Sequence, residues 1–139
     1  MWAAHSGHKD IVDMLLAHNC NLDLQNNEGF TALMIAAEMG HKDIVDALLA
    51  HNCNVDLQNN EGETALMYAA DKGHKDIVDM LLAHNCNVDL QTNDDRTALI
   101  LASRCGHKDI VDMLLAHNCN VDLQTNNDRT ALILSLIHI

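Results

Sequence analysis

Basic residues are scarce: eight lysines and arginines stand against twenty aspartates and glutamates, for a net charge of −12. A surface of that sign repels phosphate backbones and anionic membranes over a Debye length, about 8 Å at physiological salt. Nucleic acid is therefore not the expected partner, and a protein or peptide that is basic overall fits better. Long apolar runs are also missing. No stretch approaches the ~20 apolar residues that span a bilayer, and the first residues lack the basic-then-apolar pattern of a signal peptide. The expectation is an intracellular, cytoplasmic chain with no membrane partner. Proline is absent, and tryptophan, tyrosine and phenylalanine occur once each.

What the chain has in abundance is itself. The stretch GHKDIVDMLLAHNCNLDLQNNEGFTALM, starting at Gly7, returns at Gly40, Gly73 and Gly106 with scattered changes. Counted from those glycines, the units are residues 7–39, 40–72, 73–105 and 106–138 of a single domain spanning 1–139. A unit this short cannot bury its own apolar face, so the copies must stack into a continuous core. An all-α repeat solenoid is predicted.

Each unit resolves into two helices and a loop. In the second helix Ile11, Met14 and Leu15 fall at helical spacing, Val12 and Leu16 widen the stripe, and Lys9, Asp10 and Asp13 lie off it. Asp10, Asp43, Asp76 and Asp109 stand in first turns, where the helix dipole favours them. The shorter first helix opens at Thr31, with Thr64, Thr97 and Thr130 as its counterparts, and runs Leu33, Ala36, Ala37 along one face. Alanines there let backbones approach closely, so the stack should curve with the first helices inside. Leu33, Leu66 and Leu99, with Leu15, Leu48, Leu81 and Leu114, are expected to be buried between repeats. The segment CNLDLQNNEGF reads as an extended loop ending in a turn.

These residues resemble the ankyrin repeat over essentially the whole chain. The family's TPLHxAA corresponds to TALMIAA from Thr31 to Ala37, and its GHxxIVxxLL matches Gly7 to Leu16, Gly40 to Leu49, Gly73 to Leu82 and Gly106 to Leu115. The resemblance implies stacked helix-turn-helix pairs joined by extended, β-hairpin-like loops, used for binding proteins. There are departures. Ala32, Ala65, Ala98 and Ala131 replace the usual proline, which removes a preset backbone angle at the helix starts. Asn19, Asn52, Asn85 and Asn118 stand for a loop glycine, and asparagine enters the left-handed region more readily than most residues. The turn glycine, present as Gly29 and Gly62, becomes Asp95 and Asp128, where a strained or altered loop tip is expected.

Both ends cut across a repeat. Met1 falls in the column of Met34 and Met67, so residues 1–6 read as the remnant of a preceding repeat and Met1 as an internal methionine. Residues 134–139 abandon the pattern and read as an artefactual tail. A longer parent protein is the expectation.

Three columns suggest chemistry without the geometry for it. His18, His51, His84 and His117 each precede Cys20, Cys53, Cys86 and Cys119 by two residues, and both types ligate zinc. Adjacent repeats stand ~10 Å apart, whereas zinc ligands must lie within ~2.3 Å of one point. No metal or cofactor is expected. The same spacing exceeds the ~7 Å limit on disulfide-bridged Cα atoms, so the column cysteines read as small buried apolar residues of a reducing compartment. His8, His41, His74 and His107 match a family position that supports the turn between helices, a role that outweighs pH switching. Cys-His nucleophilic catalysis lacks an orienting group, an oxyanion hole and a unique pocket. The chain is read as no enzyme, with no small-molecule substrate.

The informative positions are those that break the repetition. Phe30, Glu63, Arg96 and Arg129 precede the capping threonines, and His5, Glu38, Met39, Asp71, Lys72 and Arg104 follow the small residues of the first helices. The family resemblance places such positions at the concave side and loop tips, where partners bind. An acidic peptide segment could be oriented against Arg96 and Arg129. The reading is a protein-interaction module or scaffold. Its alternative is a targeting or spacer segment of a larger enzyme, channel or ubiquitin-ligase adaptor. Cys105, outside the 33-residue cysteine column, is expected to be exposed, with Arg104 favouring its thiolate, and to label first.

Overall fold

The computed structural model describes residues 1–125 and 129–132. Helices come in pairs along the chain: α1 (Trp2–His5) with α2 (Lys9–Ala17), α3 (Ala32–Met39) with α4 (Lys42–Ala50), α5 (Ala65–Lys72) with α6 (Lys75–Ala83), and α7 (Ala98–Cys105) with α8 (Lys108–Ala116). No strand occurs among the described residues.

The helix starts are built as their local chemistry requires. Thr31 Oγ1 accepts a hydrogen bond from the Met34 N–H at 3.2 Å, Thr64 from Met67 at 3.3 Å and Thr97 from Ile100 at 3.2 Å. Each bond satisfies one of the free N–H groups at a helix N-terminus. Thr130 stands in the same column, before the helical residues Ala131 and Leu132, and residues 133–139 lie outside the described ones. The second helices carry Asp10, Asp43, Asp76 and Asp109 in their first turns. Past their C-termini Asn19, Asn52, Asn85 and Asn118 adopt φ of 51°, 59°, 57° and 58°, the left-handed conformation expected of a glycine substitute. Asp95 is left-handed too, at φ 60°, and Asp128 lies outside the described residues.

First helices pack on their neighbours more extensively than second helices do. Ala36, Ala37, Ala69, Ala70 and Ala102 are fully buried along that contact, and their small side chains permit the approach.

The apolar stripe of the second helix divides into two columns facing opposite ways. Ile44 and Leu48, Ile77 and Leu81, and Ile110 and Leu114 are buried, as are Val12 and Leu16, Val45 and Leu49, and Val78 and Leu82. At the two ends of the stack the columns part company. Leu15 is 48% exposed while Leu16 is 4% exposed, and Leu115 is 44% exposed while Leu114 is 0% exposed. The Ile and first Leu therefore face the preceding pair, and the Val and second Leu face the following one. Leu15 corrects the sequence expectation: among the described residues nothing packs on that side of α2, and Ile11, Met14 and Leu15 are exposed there.

The loops are stitched to one another as well as to their helices. Asp23 accepts from the Asn54 N–H at 2.8 Å, Asp56 from Asn87 at 2.8 Å and Asp89 from Asn120 at 2.7 Å. Gln25 Nε2 donates to the Gly29 carbonyl at 2.8 Å within its own turn and to the Gln58 carbonyl at 2.9 Å in the next repeat. At the tips the Asn60 N–H donates to the Glu28 carbonyl and the Asn93 N–H to that of Glu61. Each turn closes with the Asn26 N–H on the Phe30 carbonyl, or its equivalent, which is hairpin pairing too short to form a strand. Polar loops held at this many points present their tips as a fixed row.

Candidate functional site

Variation in charge and aromatic character between units is concentrated on one side of the stack. Helices α2, α6 and α8 share the sequence KDIVDMLLA, and α4 differs only at Ala47. Changes of charge or aromatic character fall at the loop tips and on the first helices, where Phe30, Glu63 and Arg96 occupy one column and Ile35, Tyr68 and Leu101 another.

At the middle of the row these columns meet. The Phe30 ring lies against the Tyr68 ring, with centroids 5.5 Å apart and planes inclined by 38°. The Tyr68 hydroxyl donates to Glu63 Oε2, and Asn59 Nδ2 donates to both the Tyr68 oxygen and Glu63 Oε2 at 3.0 Å. Asn59 is itself buried, and its Oδ1 accepts from the Glu61 and Glu63 N–H groups at 3.0 and 2.9 Å. Burial first, then the Glu63 carboxylate and the nearby charge of Glu38, pushes the Tyr68 phenol well above its ordinary range. The phenol stays protonated and holds the Glu63 carboxylate in place.

Beside this triad lies a cleft of about 70 Å³ between Glu63, Tyr68 and Asp71 on one side and Arg96, Leu101 and Arg104 on the other. Arg104 Nη2 donates to Asp71 Oδ1 at 3.3 Å, and the Cys105 thiol donates to the same oxygen at 3.4 Å. Arg96 Nη2 reaches Asp94 at 3.3 Å, while its Nε–H is buried with no acceptor in reach among the described residues.

The structure thus gathers Phe30, Glu63, Asp71, Arg96 and Arg104 about one cleft and its aromatic wall. His5, Glu38, Met39, Lys72 and Arg129 line no part of the cleft. His5 lies at the end of α1 with its ring edge-on to Trp2, centroids 6.3 Å apart. Met39, Lys72 and Arg129 are exposed, and Glu38 is half-buried. Sequence reasoning missed Tyr68 and Asn59. The available signal was that Tyr68 interrupts an otherwise aliphatic column, between Ile35 and Leu101.

The histidines that open the second helices serve this side of the molecule. His41 Nε2–H donates to the His5 carbonyl at 3.0 Å, His74 to that of Glu38 at 3.1 Å and His107 to that of Asp71 at 3.0 Å. Each ring thereby anchors the backbone beneath a variable side chain of the preceding repeat. A carbonyl can only accept, so Nε2 carries the proton. His51 and His84, exposed at helix ends, bond back through Nδ1 to the carbonyls of Ala47 and Met80 at 2.9 and 3.0 Å. Among the described residues no three His, Cys, Asp or Glu side chains gather as metal ligands.

The cysteines depart from expectation in two ways. Cys53, Cys86 and Cys119 are half-buried, and Cys20 is exposed. Burial, with Asp23 or Asp56 adding to it, pushes the Cys53 and Cys86 thiols up to about 11. Cys105 is also half-buried, and burial together with its bond to Asp71 raises its pKa against the opposing pull of Arg104. Arg104 is engaged with Asp71, so it does not make Cys105 the reactive thiol. Native-state maleimide labelling with peptide mapping is expected to modify Cys20 first and Cys53 and Cys86 slowly. Labelling led by Cys105 would contradict this order.

A larger apolar cavity, about 490 Å³, opens beside Leu99, Val111, Leu115, Val121 and Leu132. Its counterparts within the stack, Leu66, Val78 and Leu82, are buried beneath the next pair, so it is a stacking surface. No described helix is long and apolar enough to cross a membrane.

The family model described as ankyrin repeats (3 copies) matches residues 1–92 and 84–138. No curated protein matches the chain at a significant level.

Proposed function

The chain belongs to the ankyrin-repeat family, whose repeats are generally protein–protein interaction modules, and on that premise we propose that it binds a protein or peptide along its first helices and loop tips. The observation that carries this reading is the segregation of sequence: one face is repeated almost residue for residue, and the other carries a different side chain in each unit. A stacking role constrains every unit alike, whereas recognition of an asymmetric partner requires units to differ. The loop tips are held rigid by inter-repeat bonds, which lowers the ordering cost of association. A partner that is basic overall complements the charge of −12. Repeats of this kind are typically non-catalytic binding modules.

Peptides selected on the intact chain from a random display library test the proposal. Phe30→Ala and Lys72→Ala are expected to weaken selected binders by about tenfold, the effect of losing an interface anchor. Asp46→Ala and Asp79→Ala on second helices should change affinity by less than roughly twofold, as surface charges do. Equal losses on both faces, or an empty selection, would overturn it.

A further inference from the structure

We infer that the chain associates with itself head to tail, the open face of α8 in one copy receiving the open face of α2 in the next. Both surfaces are apolar. Ile11, Met14 and Leu15 of α2 are exposed at one end of the stack, and Leu115 and Val121 are exposed at the other, beside the cavity of about 490 Å³. The occupant is identified by an interface that the fold already builds between each pair of helices and the next. There the Val and second Leu of one second helix are buried against the Ile and first Leu of the following one. Helices α2, α6 and α8 share the sequence KDIVDMLLA, so an α8–α2 seam brings together the same side chains as the α6–α8 seam. A second copy thus arrives with its packing already matched.

The polar groups of the seam are matched as well. Inside the stack a histidine ring fills the space beside each glycine that ends a first helix. A Cβ on Gly7, Gly40 or Gly73 would lie 2.9, 2.8 and 2.8 Å from the rings of His41, His74 and His107, but one on Gly106 would meet nothing within 4 Å. The helix-opening histidine whose ring makes no hydrogen bond among the described residues is His8, exposed at the start of α2. Carried across the seam in the same register, His8 of the second copy enters the space beside Gly106. Its Nε2–H then meets the Arg104 carbonyl, as that of His107 meets the Asp71 carbonyl. The same step sets the Asn21 N–H on the Asp122 carboxylate, as the Asn120 N–H is set on Asp89, and Asp10 near Lys108, as Asp109 is near Lys75. Apolar contact alone permits many orientations, and these bonds select one.

In the register of the repeat, residues 133–138 of the first copy and 1–6 of the second compete for one place, whereas the Ile and Leu columns that cover a second helix do not return after α8 within the 139 residues. The two contacting faces differ, so the association is heterologous and adds copies one after another rather than stopping at two. The net charge of −12 opposes it, and screening by salt favours it.

Sedimentation velocity on the full chain over a dilution series tests the inference. Mass is expected to climb with concentration through a series of oligomers, and to climb further when salt is added. Leu15→Lys blocks one face and Leu115→Lys the other. The two sites are 48% and 44% exposed, so the far-ultraviolet circular dichroism should not change. Each variant alone should associate about tenfold more weakly, the effect of losing an interface anchor. Mixed in equal amounts they should form a one-to-one complex that grows no further, because each supplies the face that the other lacks. His8→Ala, which removes only the seam bond beside Gly106, should weaken association by about fivefold, and it carries the test if a lysine variant loses helical signal. Asp46→Ala on α4 should leave association within roughly twofold. A chain that stays monomeric at every concentration would overturn the inference and leave the α8 face to residues 133–139 or to another protein. Association that survives Leu115→Lys, or a mixture of the two lysine variants that forms no complex, would overturn it as well.

Discussion

Leu81→Ala is expected to destabilise the chain by about 2–5 kcal/mol, the cost of a large-to-small change at a site that cannot collapse. Leu81 is fully buried on α6 and belongs to the column that faces the preceding pair, where Val45 and Leu49 are also buried. A cavity there removes contact from two repeats at once, and in a solenoid the interface between neighbours supplies much of the stability. The same substitution at Leu15, in the same column but on an uncovered face, should cost less than about 1 kcal/mol. Urea unfolding followed by far-ultraviolet circular dichroism compares the two. A loss below about 1 kcal/mol at Leu81 would mean that the columns face the wrong way.

Gly73→Ala should cost about 2–5 kcal/mol, combining left-handed strain with overpacking. Gly73 has φ +79°, and a Cβ there would lie 2.8 Å from His107 Cε1. The ring is not free to swing aside, because its Nε2–H is bonded to the Asp71 carbonyl. Gly106 separates the two contributions: at φ +75° a Cβ would meet nothing within 4 Å. Gly106→Ala is accordingly expected to cost about 1–2 kcal/mol, from backbone strain alone. Adding His107→Ala to Gly73→Ala should recover part of the loss, a non-additive coupling of neighbouring sites. Equal destabilisation by the two glycine variants, with no coupling to His107, would show that the ring yields freely. Displacing the ring also moves Asp71, so Gly73→Ala should loosen the cleft in which Arg104 is held.

The candidate site was half legible beforehand. The columns that vary marked Phe30, Glu63, Asp71, Arg96 and Arg104, because drift in an otherwise copied sequence is visible without any structure. Which of them share a cleft was not visible. Arg129 sits apart from the Arg96 cleft, and Arg104, read as a neighbour favouring the Cys105 thiolate, is instead committed to Asp71. Tyr68 went unnoticed because a tyrosine among aliphatic residues on a helix reads as core until its hydroxyl is seen on Glu63.

Sequence alone determined the 33-residue period and the features that depend on residues a few positions apart: the threonine caps, the acidic first turns and the left-handed asparagines after each second helix. Capping bonds and φ sterics act within a single turn of chain, so the residue types there suffice to place them. The tertiary structure decided everything that rests on contacts one repeat away. The loop bonds of Asp23, the masking of Cys105, the anchoring by His107 and the pairing of Arg104 with Asp71 involve partners 31 to 36 residues distant. Nearly identical units make such partners ambiguous in one dimension, because every column offers the same residue at each step. Only stacking assigns each side chain to the neighbour before it or the neighbour after it, and that assignment leaves Leu15 exposed, Leu81 buried and the Arg96 Nε–H without an acceptor among the described residues.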